Sequence, residues 1–550
     1  MPATYIAPGV YTEEIDLSLY VPQLSTSILG LVGGFQKGPL DQITFIANRT
    51  QFEQIFGTPL RGEVGFAAHA ALYFLRWASQ LKVVRVSGHT VPDVPDATKS
   101  VAPIFRDDSS GIQIGQARGV TEGDWADGIQ VVFTTEDVPS EEDPAIPETL
   151  YNVFIYDIGT GITDSFGNVN FSGVAPLEFF EDVVFDDTDA TNYVEKIVNG
   201  NSLYITLNMT EESNPDITMT YLLAGGDDGT STIQSSDIIG GVDATTGINT
   251  GLRAFEDPLI EDINLISAPG FNHVREVATE MITLAQTRFD VLAVLDTPDL
   301  SRAQDIRDYV RGSLGTPGNP WSGFAPLSSS NRAAIYSPWV KIFDSYNNEE
   351  VFVPPSVRVL GVFAFNDNVA FPWFAAAGPN RGVLFNTLDV RFKLSLGGIE
   401  LIYGFGTNVN PIQVTVDGIL VNGNKTLQRK PSLLQNVHIV RMLMYAEKVI
   451  ATATRFLQWE PHDPITWRRY TNLVEPFLQD IVAKRGITEF RVKCDKETNT
   501  DLYINQGQMV AELHIIPTNA VAVIVNRFII HPHGASLESS SISPTQQTIP

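Results

Sequence analysis

Hydrophobic and polar positions follow several distinct rhythms along this chain. The opening MPATYIAPGVYTEEIDLSLY sets Pro2 and Pro8 among β-forming residues with no helical period, which predicts an extended arm over 1–20. An apolar run with Gly33 and Gly34 comes next, then a turn at Lys37-Gly38-Pro39. A helix follows with Phe66, Ala70, Tyr73, Phe74 and Trp77 on one face, and a strand over Leu81 to Val86. From about 121 to 234 the pattern breaks into short β-runs, such as Ile129 to Phe133 and Tyr151 to Tyr156, between acidic turns containing Gly and Asn. Such a segment reads as an inserted, mostly-β domain. The rhythm then becomes strand Ile263 to Ser267, helix Val274 to Arg288, strand Val291 to Leu295 and helix Ser301 to Val310. Strands alternating with helices predict an α/β core with parallel pairing.

Near the C-terminus, Leu433, Val437, Val440, Met444, Ile450, Ala453 and Leu457 recur at helical spacing, and a second helix is expected over Ile465 to Lys484. Three β-runs follow Arg485-Gly486: Thr488 to Cys494, Met509 to Ile516 and Val521 to Ile530. The last of these is strongly β-forming and would aggregate if left exposed. It is either the final strand of its own sheet or a strand added to the sheet edge of another subunit. The arm Tyr5 to Tyr20 could add in the same way. For strand addition the candidate residues are Tyr5, Ile6, Val10, Tyr11, Val521, Val523, Val525, Phe528 and Ile530. Residues 534–550, rich in Ser, Thr and Pro, read as a disordered tail.

Composition adds bounds to this picture. A chain of 550 residues with 43% hydrophobic content has material for about three or four domains of common size. Its start lacks a basic region followed by an apolar one, and no run reaches the roughly 18 apolar residues of a membrane helix, so neither export nor a membrane anchor is expected. The single Cys494 excludes an internal disulfide and reads as a buried strand residue. A net charge of −28 disfavours nucleic acid and anionic membranes as partners. The charge is uneven. Residues 121–230 carry 23 Asp/Glu against one Lys, whereas 421–530 carry 14 Lys/Arg against 10 Asp/Glu. The acidic stretch reads first as a solvated surface.

Candidate chemistry is thin. Gly418-Ile-Leu-Val-Asn-Gly423-Asn424-Lys425-Thr426 resembles a phosphate loop with one residue too many, since Asn424 separates Gly423 from Lys425, and a loop that wraps its backbone N–H groups round phosphates needs the Lys directly after the glycine. Gly225-Gly226-Asp227-Asp228-Gly229-Thr230 would turn two carboxylates towards a phosphate, so it reads as a turn. His531 and His533 make only two metal ligands, and Asp186 and Asp187 have no neighbouring His, Lys or Arg to tune them. No Gly-x-Ser-x-Gly elbow occurs. The expectation is a protein that works by shape, with no enzyme activity, cofactor or metal.

Against this background Ile6-Ala-Pro8-Gly9-Val10-Tyr11-Thr-Glu13-Glu14 resembles the opening of contractile-phage tail sheath proteins. Further segments agree in order: Gly30 to Gly38, Gly123-Asp-Trp125-Ala-Asp-Gly128-Ile129, Leu222 to Gly229, Ser267-Ala-Pro269-Gly270 and Val294-Leu295-Asp296-Thr-Pro298. The C-terminal matches are Ala377 to Gly382, Gly423 to Thr426, Phe490 to Asp495 with Asn499-Thr500, and Ile515-Ile516-Pro517.

The resemblance implies an α+β multi-domain fold with a discontinuous inner α/β domain built from N- and C-terminal segments. It divides the chain into an arm (1–20), the first part of the inner domain (21–95), a middle α/β domain (96–120 and 235–385) and an acidic outer β-rich domain (121–234). An inner C-terminal domain near the tube (386–520), an arm strand (521–533) and the tail (534–550) complete it. It also implies a structural subunit that stacks as rings in a helical sheath around an inner tail tube and contracts to drive the tube through the host envelope. Tail-like bacteriocins and extracellular injection particles share the fold and are the first alternative, with an uncharacterised enzyme as the rival from a different class. Implied partners are other copies, the tube protein, and baseplate and tail terminator proteins, in a virion assembled in the host bacterial cytoplasm. With the basic bias of the C-terminal segment, the expected tube-facing charges are Lys448, Arg455, Arg468, Arg469, Lys484 and Arg485.

Overall fold

The computed structural model describes residues 27–90, 95–107, 111–139, 147–160, 162–163, 169–171, 174–242, 247–312 and 325–523. An eight-stranded sheet organises the chain, in the order Ile43–Ile46, Leu81–Arg85, Leu29–Gly33, Leu265–Ser267, Leu292–Asp296, Ala333–Ser337, Asn410–Thr415, Gly418–Val421. Its inner pairings are parallel and its two outer pairings antiparallel. The central strands LGLVG, LAVLD and AAIYS are buried along their whole length, as a parallel sheet covered on both faces requires. Successive side chains serve opposite faces. Leu29, Leu31, Val83 and Val294 pack with helices Phe66–Phe74 and Ser356–Val369, while Val32, Val84, Ala293 and Leu295 pack with Arg275–Arg288 and Ala303–Arg311. At Gly33 a Cβ would stand 2.4 Å from the Ala67 Cβ, so glycine lets helix Phe66–Phe74 close on the sheet.

This sheet corrects two expected boundaries. The segment 21–95 does not form a unit apart from the middle segment, because Leu29–Gly33 pairs directly with Leu265–Ser267. Segment 96–120 does not join the middle domain either. Its strands Val101–Phe105 and Gln113–Gly119 form a three-stranded sheet with Ile205–Met209. Ala102, Ile104, Ile114 and Ala117 share one core with Phe133, Phe185 and Tyr221 of the acidic unit. Half-buried strands need a partner, and here the partner lies far along the chain. The expected short runs are also longer than their apolar parts: Ile129–Pro139 and Pro147–Asp157 pair in register from Ile129 with Asp157 to Pro139 with Pro147.

Arg85 joins the acidic unit to the main sheet. Fully buried at the end of its strand, it donates to the carbonyls of Gly38 (2.7 Å), Glu122 (2.9 Å) and Asp228 (3.2 Å). Burial holds its guanidinium down to about 10 against the pull of nearby carboxylates. Among the described residues no helix is long and apolar enough to cross a membrane.

Candidate functional site

The C-terminal segment forms a platform on two helices. The first, Val437–Thr454, starts against the phosphate-loop-like element, whose Asn424 closes its N-terminus: the Asn424 carbonyl accepts from Val437 N (3.1 Å) and its Oδ1 from His438 N (3.3 Å). Lys425 donates to the Tyr403 carbonyl at 2.8 Å and lies 4.1 Å over that ring, and the Thr426 hydroxyl donates to the Leu434 carbonyl at 2.9 Å. The element is therefore a structural joint whose Lys and Thr are engaged within the fold. The second helix, Pro464–Ala483, has Asp463 as N-cap, accepting from Ile465 and Thr466, with Pro464 in its first turn. It ends against Trp373, whose indole donates to the Lys484 carbonyl at 3.0 Å. A Cβ on Gly486 would meet the Trp373 ring at 3.0 Å and Ile481 at 2.6 Å, so only glycine passes the chain into the next strand.

That strand, Ile487–Lys493, pairs antiparallel with Glu512–Pro517 as a two-stranded ribbon. Phe490, Val492, Leu513 and Ile515 pack on the core of Val474, Leu478 and Ile481, while Arg491, His514 and Ile516 face outward. Buried Asn499 accepts from Val510 N at 2.7 Å and donates to the Val510 carbonyl at 3.0 Å, holding the connection. Cys494 lies one residue beyond the strand and is half-buried, a departure from the buried strand position expected. Among the described residues both outer edges of the ribbon lack a strand partner. Two strands alone are marginal, and open edges template further strands.

The start of the described chain is tied to one face of helix Val437–Thr454. Ser27 is buried and its hydroxyl donates to Asp367 Oδ2 at 2.5 Å. Asp367, on helix Ser356–Val369, accepts both guanidinium nitrogens of Arg441, at 2.8 and 2.5 Å, and both side chains are almost wholly buried. One turn earlier His438 is buried with Nδ1 on Asn424, and the Thr518 backbone, just past the ribbon, is the group that favours its protonated form. Burial dominates and pushes its imidazole down to about 4. Residues 438 and 441 stand three apart and share a helix face. Sequence reasoning missed this hub. Its available signal was a charged residue, Arg441, set on the apolar stripe between Val437 and Met444.

The expected site residues are only partly within view. Val521 and Val523 are exposed, at 80% and 77%, and belong to no strand. Tyr5, Ile6, Val10, Tyr11, Val525, Phe528 and Ile530 lie outside the described residues, as do His531, His533 and the tail. The six expected tube-facing cations are not brought together. Lys448 is ion-paired with Asp262, and it lines a groove with Arg455. Arg468 and Arg469 are exposed near the start of the second helix, Arg469 reaching Glu460 at 3.4 Å. Lys484 and Arg485 sit past its other end, about 24 Å away at 1.5 Å per residue, with Lys484 on Asp480 at 2.6 Å. Among the described residues no group of three or more metal-ligating side chains gathers.

No family profile matches the sequence. The chain is 24% identical over 363 residues to the tail sheath protein of Vibrio phage KVP40, covering 62% of this chain and 52% of that one. It is 28% identical over 211 residues to the tail sheath protein of Enterobacteria phage T4, covering 38% of this chain and 32% of that one. The matches thus span about half or less of those relatives. In structure it is similar to the sheath tail protein of Desulfitobacterium hafniense, with TM-score 0.55, 11% identity and coverage of 88% of this chain and 94% of that one. It is also similar to the sheath of an extracellular contractile injection system in its contracted state, with TM-score 0.53, 15% identity and coverage of 96% and 98%. These sequence relatives are named as phage tail sheath proteins, and the chain shares its fold with solved sheath proteins.

Proposed function

We propose that the chain is a structural subunit of a contractile tail sheath, polymerising around an inner tail tube and contracting to drive that tube through a host cell envelope. The supporting observation is the platform: a ribbon whose two outer edges lack a strand partner among the described residues, built beside the helix to which the start of the described chain is tied through Asp367 and Arg441. In this reading Tyr5, Ile6, Val10 and Tyr11 of one arm, and Val521, Val523, Val525, Phe528 and Ile530 of the other, lie as added strands along ribbons of neighbouring copies. Main-chain hydrogen bonds supply the grip and alternate side chains fill pockets. The arms keep neighbours linked while the rigid bodies turn during contraction.

The work comes from a metastable extended lattice and requires no nucleotide. The acidic unit faces outward, and the C-terminal platform faces an acidic tube through Arg468 and Arg469 foremost. Baseplate and tail terminator proteins bound the assembly at its ends, within a virion assembled in the host cytoplasm. A sheath of an extracellular contractile injection particle is the second reading, favoured by the likeness to such a sheath over 96% of the chain. Deleting residues 1–20 tests the arm. The variant is expected to remain a folded, soluble monomer that sediments alone and forms no tubes, and normal tubes from it would overturn the strand-addition reading.

A further inference from the structure

Away from the platform, a pocket of about 140 Å³ opens between helix Phe66–Phe74, the start of helix Ser356–Val369 and the hairpin around Asp344. Its floor is Arg358, only 8% exposed, whose guanidinium stacks 4.2 Å from the Tyr73 ring centroid and donates to the Asn386 carbonyl at 3.3 Å. Arg76, exposed, approaches the same ring at 5.8 Å. Burial holds the Arg358 guanidinium down to about 10, and the Arg76 charge pushes it the same way. Asp344 also lines the pocket, and the nearby acids carry partners of their own. Asp344 accepts from Tyr346 N (2.9 Å) and Asn347 Nδ2 (2.7 Å) and faces His69 at 3.4 Å, while Glu53 is held by Arg49 at 2.8 Å. A buried guanidinium facing a second cation is costly until an anion joins it.

We propose that this pocket takes a carboxylate side chain from a second copy of the chain, clamped between Arg358 and Arg76. Its volume suits one carboxylate or phosphate group, and arginine meets either with paired N–H donors. With 64 Asp and Glu against 36 Lys and Arg, an adjoining copy presents carboxylates in excess. In a repeating lattice each copy can neutralise the next. The inference rests on the sheath reading, and its test separates the two. Inorganic phosphate is titrated calorimetrically into the dispersed full chain, and copy-to-copy association is followed by sedimentation with and without phosphate, for wild type, R358M and R76A. The expected result is one phosphate bound per chain, association inhibited by phosphate, and association weakened by more than about tenfold in R358M, with R76A weakened in the same direction. R76A alters an exposed side chain, so it reports even if R358M fails to fold. No phosphate binding by the wild type would remove the anion site. Phosphate binding that is lost in R358M while association is unchanged by phosphate and by both variants would assign the pocket to a free anion and overturn the proposal. Phosphate binding by a wild type that never associates would likewise assign the pocket to a free anion, and the sheath reading would fail with it.

Discussion

Buried polar side chains hold the parts of this molecule in register. Asp296 accepts from Ser356 N at 2.7 Å, from its hydroxyl at 2.5 Å and from Asn272 at 2.9 Å, tying the sheet to the start of helix Ser356–Val369. Burial pushes its carboxyl up to about 6, against those hydrogen bonds. The raised value means that its contribution to stability is complete below about 3.8 and is lost as pH rises through 6. His438 has the opposite sign. With its imidazole down to about 4 from 6.5, its contribution is present above 6.5 and is lost as pH falls through 4. Each displacement corresponds to on the order of 3 kcal/mol, so the two nearly offset over the shared window. Relative to wild type, the melting temperature of D296N should fall between pH 6.5 and 4, and that of H438Q should rise. A D296N difference that stayed level with pH would contradict the assignment. Asp296 stands in a segment that resembles sheath proteins, yet its partner Ser356 lies 60 residues away, so its role could not be read from sequence.

At the scale of elements, local pattern reached as far as local cause does. The alternating strands and helices from Ile263 to Val310 were legible because continuous apolar runs mark covered parallel strands. Helix Val437–Thr454 was legible from its stripe, although Leu433 falls in a preceding 3₁₀ turn and is 48% exposed. Strands Val101–Phe105 and Gln113–Gly119 were not assigned to the acidic unit, because their sheet partner begins at Ile205. Helix Pro464–Ala483 carries its own prediction. Its buried face includes Trp467, Tyr470, Val474 and Leu478, leaving Arg468 and Arg469 outward. The double reversal R468E/R469E should change stability by no more than about 0.5 kcal/mol. It should also weaken salt-sensitive co-assembly with the tube protein, measured by co-sedimentation. Unchanged co-assembly would remove these residues from the tube interface.

Across the whole molecule, one eight-stranded sheet draws strands from both halves of the sequence. The acidic β-rich unit is set into it, with Arg85 at the joint. The uneven charge visible in the sequence thus belongs to structurally separate parts: a net-negative unit with its own core, and a C-terminal platform with cations on exposed helix. Among the described residues neither outer edge of the Ile487–Lys493 and Glu512–Pro517 ribbon has a strand partner, and a repeating neighbour could supply one. Electron microscopy of the purified full chain, concentrated without nucleotide, metal or any other cofactor, tests this account most directly. Hollow tubes of stacked rings are the result it predicts, and monomers that persist at every concentration would contradict it.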